Sequence, residues 1–141
     1  MAFQYFEDYE LRIKGVTSAR TVTEADIVNF ACLTEDYSTP HMDHHAMVNS
    51  TYGSRVAHGL LGSSLVTGML SLRAPHILGR GASGSYFSGF SANYRKAIKL
   101  GDTIRTTWEV ANMESETPHP GYGTVTTSFQ VIIQDLSLIH I

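Results

Sequence analysis

At 141 residues, with 43% hydrophobic and 16% charged side chains, the chain is long enough to bury one core and too apolar to be a disordered segment. A formal net charge of −3 argues against nucleic acid, which demands clustered Lys and Arg, and the single Cys32 excludes an internal disulfide framework or a Cys-based zinc site. Residues 1–15, MAFQYFEDYELRIKG, lack the basic start and apolar run of a signal peptide, and no uninterrupted apolar stretch reaches the roughly 18 residues of a membrane span. The expected setting is therefore cytoplasmic, with no membrane partner.

Taken in chain order, Tyr9–Lys14 (YELRIK) alternates as a short first strand would. TVTEADIVNFACL then reads as a helix capped by Thr23 with Asp26 at the N3 position, and Ile27, Phe30 and Ala31 share a face. Cys32 lies in this apolar segment and is expected to be a buried structural thiol. Asp43 can cap a second short helix, HHAMVNSTY, which Gly53 would end. A third helix, GLLGSSLVTGMLSL from about Gly59 to Leu72, places Leu61, Leu65, Met69 and Leu72 on one side. Gly62, Ser63, Ser64 and Gly68 give it little bulk elsewhere, and without a charge it should be buried on most sides.

Beyond the Gly/Ser-rich GRGASG, the period changes to two. SYFSGFSANY puts Tyr86, Phe90, Ala92 and Tyr94 on one face. DTIRTTWEV does so with Ile104, Trp108 and Val110, and TVTTSFQVII with Val125, Phe129, Val131 and Ile133. LGD at 100–102 and PHPGYG at 118–123 are turn sequences between strands. The predicted layout is α+β: an antiparallel sheet with one long, featureless helix across its concave face.

Two stretches carry chemistry. In TEDYSTPHMD, Asp36 and His41 lie five residues apart, and Pro40 is expected to hold Thr39 extended. An acid beside an imidazole can position a water, remove its proton and return a proton elsewhere, although such a pair in a polar loop is more often only solvated. In AHGLL, the start of the uncharged helix offers N–H groups at Gly59 that have no intrahelical partner, which is how an oxyanion hole for a thioester enolate would be built. Together these are what adding water to an α,β-unsaturated thioester requires.

TEDYSTPHMD followed by SRVAHGLLGSSL resembles the MaoC-like dehydratase family, above all its (R)-specific enoyl-CoA hydratases, which have a hot-dog fold. The family motif runs Asp-x-Asn-Pro-x-His, with an Asp two residues later and an Ala-His-Gly opening the central helix. Asp36, His41, Asp43 and Ala57-His58-Gly59 fall at the matching spacings, and YRKAIKLGDTIRTTWEV resembles the family's later strand-turn-strand. Two departures stand out: Ser38 replaces the motif's Asn, and its Pro is displaced by one to Pro40.

The resemblance implies one hot-dog domain over residues 1–135, an antiparallel sheet wrapped around a long central helix. It implies a hydratase/dehydratase acting on 2-enoyl thioesters, with Asp36 and His41 as the dyad and syn addition of water. The Gly59 N–H would polarise the thioester carbonyl, and Ser64 would support the dyad or line the pocket. Ser38 and His58 would contribute to substrate binding, and Leu61, Leu65 and Phe90 would line an acyl tunnel. The substrate would be an acyl-CoA or an acyl-carrier-protein thioester, with no further cofactor and no metal, and the protein would be a homodimer.

A hot-dog acyl-CoA thioesterase and a non-catalytic acyl-thioester-binding subunit are the competing readings. Against them stands the intact Asp-x4-His arrangement. His44, His45 and His119 are expected to be exposed, and Arg55 and Arg95 to be surface charges. The final LSLIHI, residues 136–141, lacks strand alternation and matches a translated sequencing adapter. It is expected to be a non-native tail standing where a last strand would be.

Overall fold

The computed structural model describes residues 5–73, 86–115 and 121–134, and of Arg73 the backbone alone. The elements in chain order are β1 (Lys14–Val16), β2 (Arg20–Thr21), α1 (Glu24–Thr34), α2 (Thr39–Met42), α3 (His44–Val48), α4 (Gly59–Arg73), β3 (Thr103–Glu114) and β4 (Thr124–Gln134). The expected tail at 136–141 lies outside the described residues.

The chain forms two compact units interleaved along the sequence. The first comprises residues 5–18, 66–73, 86–90, 105–115 and 121–132; the second comprises 19–65, 91–104 and 133–134. In the first, β1 pairs antiparallel with β3 in the register Lys14–Glu109, Gly15–Trp108 and Val16–Thr107, and β4 pairs with β3. Its core is the contact of Val66 and Leu70 from α4 with Trp108 of β3, joined by Ile13, Phe129 and Val131. Gly15 has to be glycine here, because a Cβ would fall 2.8 Å from the Trp108 ring. In the second unit β2 pairs with the start of β3, Arg20 opposite Ile104 and Thr21 opposite Thr103.

Helix α1 forms as its sequence dictates. The Thr23 hydroxyl accepts from the Asp26 N–H and the Asp26 carboxylate accepts from the Thr23 N–H, two orphan donors satisfied reciprocally. Arg20 pairs with the same Asp26 carboxylate. Ile27 and Ala31 are fully buried. The Asp43 carboxylate caps α3 by accepting from Ala46 N–H at 2.9 Å. The LGD turn is closed by Gly101 at φ +90° and by Asp102, whose carboxylate accepts from Lys99 N–H at 2.8 Å.

Several sequence expectations are corrected. Strand β1 begins at Lys14 rather than Tyr9, because Arg12 sits in the left-handed region at φ +73° and breaks the alternation. Helix α3 stops at Val48, well short of Tyr52. Asn49 Nδ2 donates to His45 O and Ser50 Oγ donates to Met47 O, so side chains take the carbonyls that further turns would use. Pro40 does not keep Thr39 extended. Thr39 and Pro40 open the short helix α2, where a proline costs nothing because the first-turn N–H groups have no helical acceptor, and the extended residue is Ser38 at ψ 152°.

Residues 86–94 form no strand, since their backbone groups pair with none of the described strands, and Tyr86, Phe87 and Tyr94 are exposed. Cys32 is exposed rather than buried. Helix α4 buries Leu61, Leu65 and Met69 as its pattern requires, but Leu60, Ser64, Gly68 and Leu72, four residues apart, form an exposed face.

Candidate active site

All the groups of the sequence motif that the fold brings together belong to the second unit. Helix α1 ends at Glu35, which takes the left-handed conformation at φ 61°, ψ 14° and turns the chain so that Asp36 follows immediately. Ser38 then fastens the acid. Its hydroxyl donates to Asp36 Oδ1 at 2.7 Å and its N–H donates to the same oxygen at 3.2 Å. These two donors, the hydroxyl first, hold the Asp36 carboxyl below the usual carboxylate range, because both stabilise the charged form. The residue that replaces the motif's Asn thus keeps a donor in contact with the acid.

His41 sits on α2, its side chain 14% exposed against 49% for Asp36. Its Nδ1–H donates to the Val56 carbonyl at 2.7 Å. A carbonyl can only accept, so Nδ1 carries a proton, and the neutral tautomer selected in this way has its lone pair on Nε2. That Nε2 lies 3.9 Å from Asp36 Oδ2. The gap is too long for a direct hydrogen bond and admits one water oxygen at about 2.8 Å from both atoms.

Val56 is itself pinned. Its N–H donates to Pro40 O at 3.0 Å, and its neighbours reach the segment before β3 through Ala57 N–H to Ile98 O at 2.8 Å and Leu100 N–H to Arg55 O at 2.9 Å. Arg55 is buried, contrary to the expected surface charge, and pairs with Glu24 of α1.

His58 is 4% exposed. It stacks on His41 with ring centroids 3.7 Å apart and 25° between planes, and Phe30 covers it at 5.0 Å. Its Nε2–H donates to the Asp36 carbonyl at 2.9 Å, while Nδ1 is buried without a hydrogen-bond partner among the described residues. Asp36 Oδ2 is 3.9 Å from His58 Nε2 as well as from His41 Nε2. These three atoms lie within 4.8 Å of one another, a separation that a metal ion could draw together. The hydrogen bonding opposes that use: a ligand nitrogen needs its lone pair, and His58 Nε2 carries the proton that it donates to Asp36 O. At the gap between acid and base, the acceptor capacity of Asp36 Oδ2 and of His41 Nε2 is unassigned among the described residues.

Gly59 opens α4, and the first intrahelical bond there runs from Gly62 N–H to His58 O at 3.1 Å. The N–H groups of Gly59, Leu60 and Leu61 therefore precede the helical ladder. A Cβ on Gly59 would meet the Tyr94 ring at 3.3 Å, and the Tyr94 hydroxyl is 2.7 Å from Ser63 Oγ. Tyr94, predicted only as a strand residue, thus lies along the start of the helix. Gly62 gives the close approach expected of a small residue, to Ile98 Cδ1 at 3.2 Å from its virtual Cβ.

The other predicted residues are placed as follows. Ser64 is exposed and its hydroxyl donates to Leu60 O at 2.8 Å. Leu61 and Leu65 are buried. Phe90 belongs to the other unit, where it stacks with Phe129 at 5.6 Å and meets Phe87 at 6.2 Å. Sequence reasoning missed the Val56 carbonyl, which leaves no signal in residue type. It also missed the Phe30 ring over His58, which the helical face of Ile27, Phe30 and Ala31 pointed toward.

An antiparallel sheet with a single long helix, carrying an acid and an imidazole just ahead of that helix, defines a hot-dog protein of the α+β class. A model of the MaoC like domain matches residues 14–131, and the chain belongs to that family. It is 29% identical over 112 residues to the 3-hydroxybutyryl-CoA dehydratase of Methylorubrum extorquens, spanning 79% of this chain and 67% of that one. It is 25% identical over 135 residues to the (R)-specific enoyl-CoA hydratase of Rhodospirillum rubrum, spanning 95% and 89%. The crystal structure of a MaoC-like dehydratase from Rhodospirillum rubrum superimposes with a TM-score of 0.75 at 21% identity, over 92% of this chain and 86% of that one. Among the described residues, no helix is long and apolar enough to cross a membrane.

Proposed function

We propose that the protein is a hydro-lyase that adds water reversibly across the double bond of a 2-enoyl thioester to give a 3-hydroxyacyl thioester. The observation that carries this reading is the placement of His41 Nε2 3.9 Å from Asp36 Oδ2, with the ring's other nitrogen committed to Val56 O. Water bound between them attacks Cβ of the enoyl group as His41 Nε2 removes one of its protons. Electrons move from the double bond onto the thioester carbonyl, giving an enolate. The imidazolium then returns a proton to Cα, so that hydroxyl and hydrogen both come from one water and one face. Asp36, a carboxylate at neutral pH whose charge Ser38 further stabilises, orients the water and offsets the charge on His41.

The enolate oxygen is read as bound at the Gly59 N–H, at the positive end of α4. No cofactor is needed beyond the CoA or acyl-carrier thioester that the substrate itself brings. Leu61 and Leu65 supply buried apolar surface at the start of the helix for the acyl chain. The relatives named as a 3-hydroxybutyryl-CoA dehydratase and an (R)-specific enoyl-CoA hydratase support the reaction class. The protein is further read as a homodimer formed through its sheet.

Loss of crotonyl-CoA absorbance tests the reading. The wild-type chain should hydrate the substrate, and Asp36→Asn and His41→Ala should each lower kcat/KM by about 10²- to 10⁴-fold. Hydration that survives both changes removes the site assignment, and release of free thiol without hydration makes the protein a thioesterase.

A further inference from the structure

Two imidazoles, not one, face the Asp36 carboxylate, and the geometry gives them different duties. His41 and His58 stack at 3.7 Å and point Nε2 at the same oxygen from the same distance, 3.9 Å. Their hydrogen bonds fix opposite tautomers. His41 gives its Nδ1 proton to Val56 O and leaves Nε2 open; His58 gives its Nε2 proton to Asp36 O and has no lone pair on that side. Only His41 can accept a proton from a water beside Asp36 Oδ2.

We propose that His58 is a positioning residue of the site: its Nε2–H holds the backbone of Asp36, and its buried ring, under Phe30, is the plate on which the base His41 is stacked. The other backbone donors of the chain between Glu35 and Ser38 bond locally, Asp36 N–H to Thr34 Oγ1 at 3.4 Å and Tyr37 N–H to Glu35 O at 3.1 Å. Oδ1 is tied to Ser38, two residues away and on the same loop, so this bond cannot fix the loop against the rest of the protein. The His58 bond to Asp36 O spans 22 residues and ties the loop to the start of α4. One side chain therefore sets the separation between acid, base and the Gly59 N–H, the distances on which an oriented reaction depends.

The proposal rests on the hydratase reading above, and the test separates the two. The full chain is assayed with crotonyl-CoA as wild type, Asp36→Asn, His58→Phe and His58→Gln, and each variant's thermal melt is recorded. His58→Phe keeps a buried ring against His41 and Phe30 but removes the N–H donor; it is expected to fold, to lose about 10²-fold in kcat and to change KM little. His58→Gln restores an amide N–H near the place of Nε2 and is expected to recover kcat to within about tenfold of wild type, which a purely structural role of the ring would not produce.

Nitrogen-15 NMR of the wild-type imidazoles provides a readout independent of any variant: His58 should be protonated at Nε2 and His41 at Nδ1. Hydration abolished by Asp36→Asn but untouched by His58→Phe overturns this proposal alone, as does a His58 ring protonated at Nδ1. A wild-type chain that does not hydrate crotonyl-CoA overturns the functional reading and the positioning role with it.

Discussion

In the unit that carries Asp36, His41 and His58, polar side chains are fastened to main-chain atoms. His41 is held by Val56 O and His58 by Asp36 O, while Asp26 and Asp43 cap helices through backbone N–H groups. The unit built on β1, β4 and most of β3 is organised around strand pairing and an apolar cluster. Val66, Leu70 and Trp108 form a buried cluster, while Tyr86 and Phe87 lie exposed beside Phe90 and no residue of β4 is fully buried. Directional bonds fix a group's angle as well as its place, which acid–base chemistry needs; apolar contact is non-directional and scales with the area covered. On the proposed function the orientation-sensitive work falls to the bonded unit, while the strand-rich unit keeps exposed apolar side chains at Tyr86 and Phe87.

Experiments on each side sharpen that contrast. The largest effect is expected at the bonded side's reacting groups: His41→Ala should cost about 10²- to 10⁴-fold in kcat/KM of the folded protein, a loss far beyond what its lost packing explains. In the strand-rich unit the ranking should invert. Trp108→Ala removes a side chain 5% exposed and is expected to destabilise by about 3–5 kcal/mol in denaturant unfolding, with residual folded protein still active. A Trp108→Ala protein of unchanged stability would contradict the assignment of its core.

Smaller is the cap of α1. Thr23→Ala leaves the Asp26 N–H without its acceptor and should cost about 0.5–2 kcal/mol, read from the same unfolding curves.

The subtlest change lies at Ser38. The folded-state carboxyl of Asp36 is depressed by Ser38's hydroxyl and N–H, so its ionised form persists as pH falls and is lost only on passing through that lowered value. Ser38→Ala removes the larger of the two donors, and the Asp36 carboxyl, followed by carbon-13 NMR, should titrate at a higher pH than in the wild type. An Asp36 titration that stays in place would show that Ser38 does not hold the charge.

Much of this was legible in the sequence. The capping box at Thr23 and Asp26, the cap at Asp43 and the long helix from Gly59 are local, written in residues that lie within one turn of each other. The acid and imidazole were legible because a motif's spacing identifies them. What failed is non-local. The alternation of Tyr86, Phe90 and Tyr94 signals a strand only where another strand supplies partners, and none of the described ones does. Cys32 looked buried because its neighbours are apolar, yet it is exposed, about 100° around α1 from the buried Ala31. The groups that orient His41 and the helix start, Val56 O and the Tyr94 ring, come from 15 and 35 residues away respectively, and one of them is a carbonyl that every residue type possesses.

The left-handed corner at Glu35 has a consequence for how changes near the site are interpreted. This conformation costs a non-glycine residue about 1–2 kcal/mol and is all but closed to β-branched side chains. Valine at 35 would swing the neighbouring carboxylate off its aim without altering a single reacting atom, whereas glycine would leave the corner intact. An activity loss seen with Glu35→Val and spared in Glu35→Gly would mark position 35 as a steering joint, inert in charge and decisive in shape.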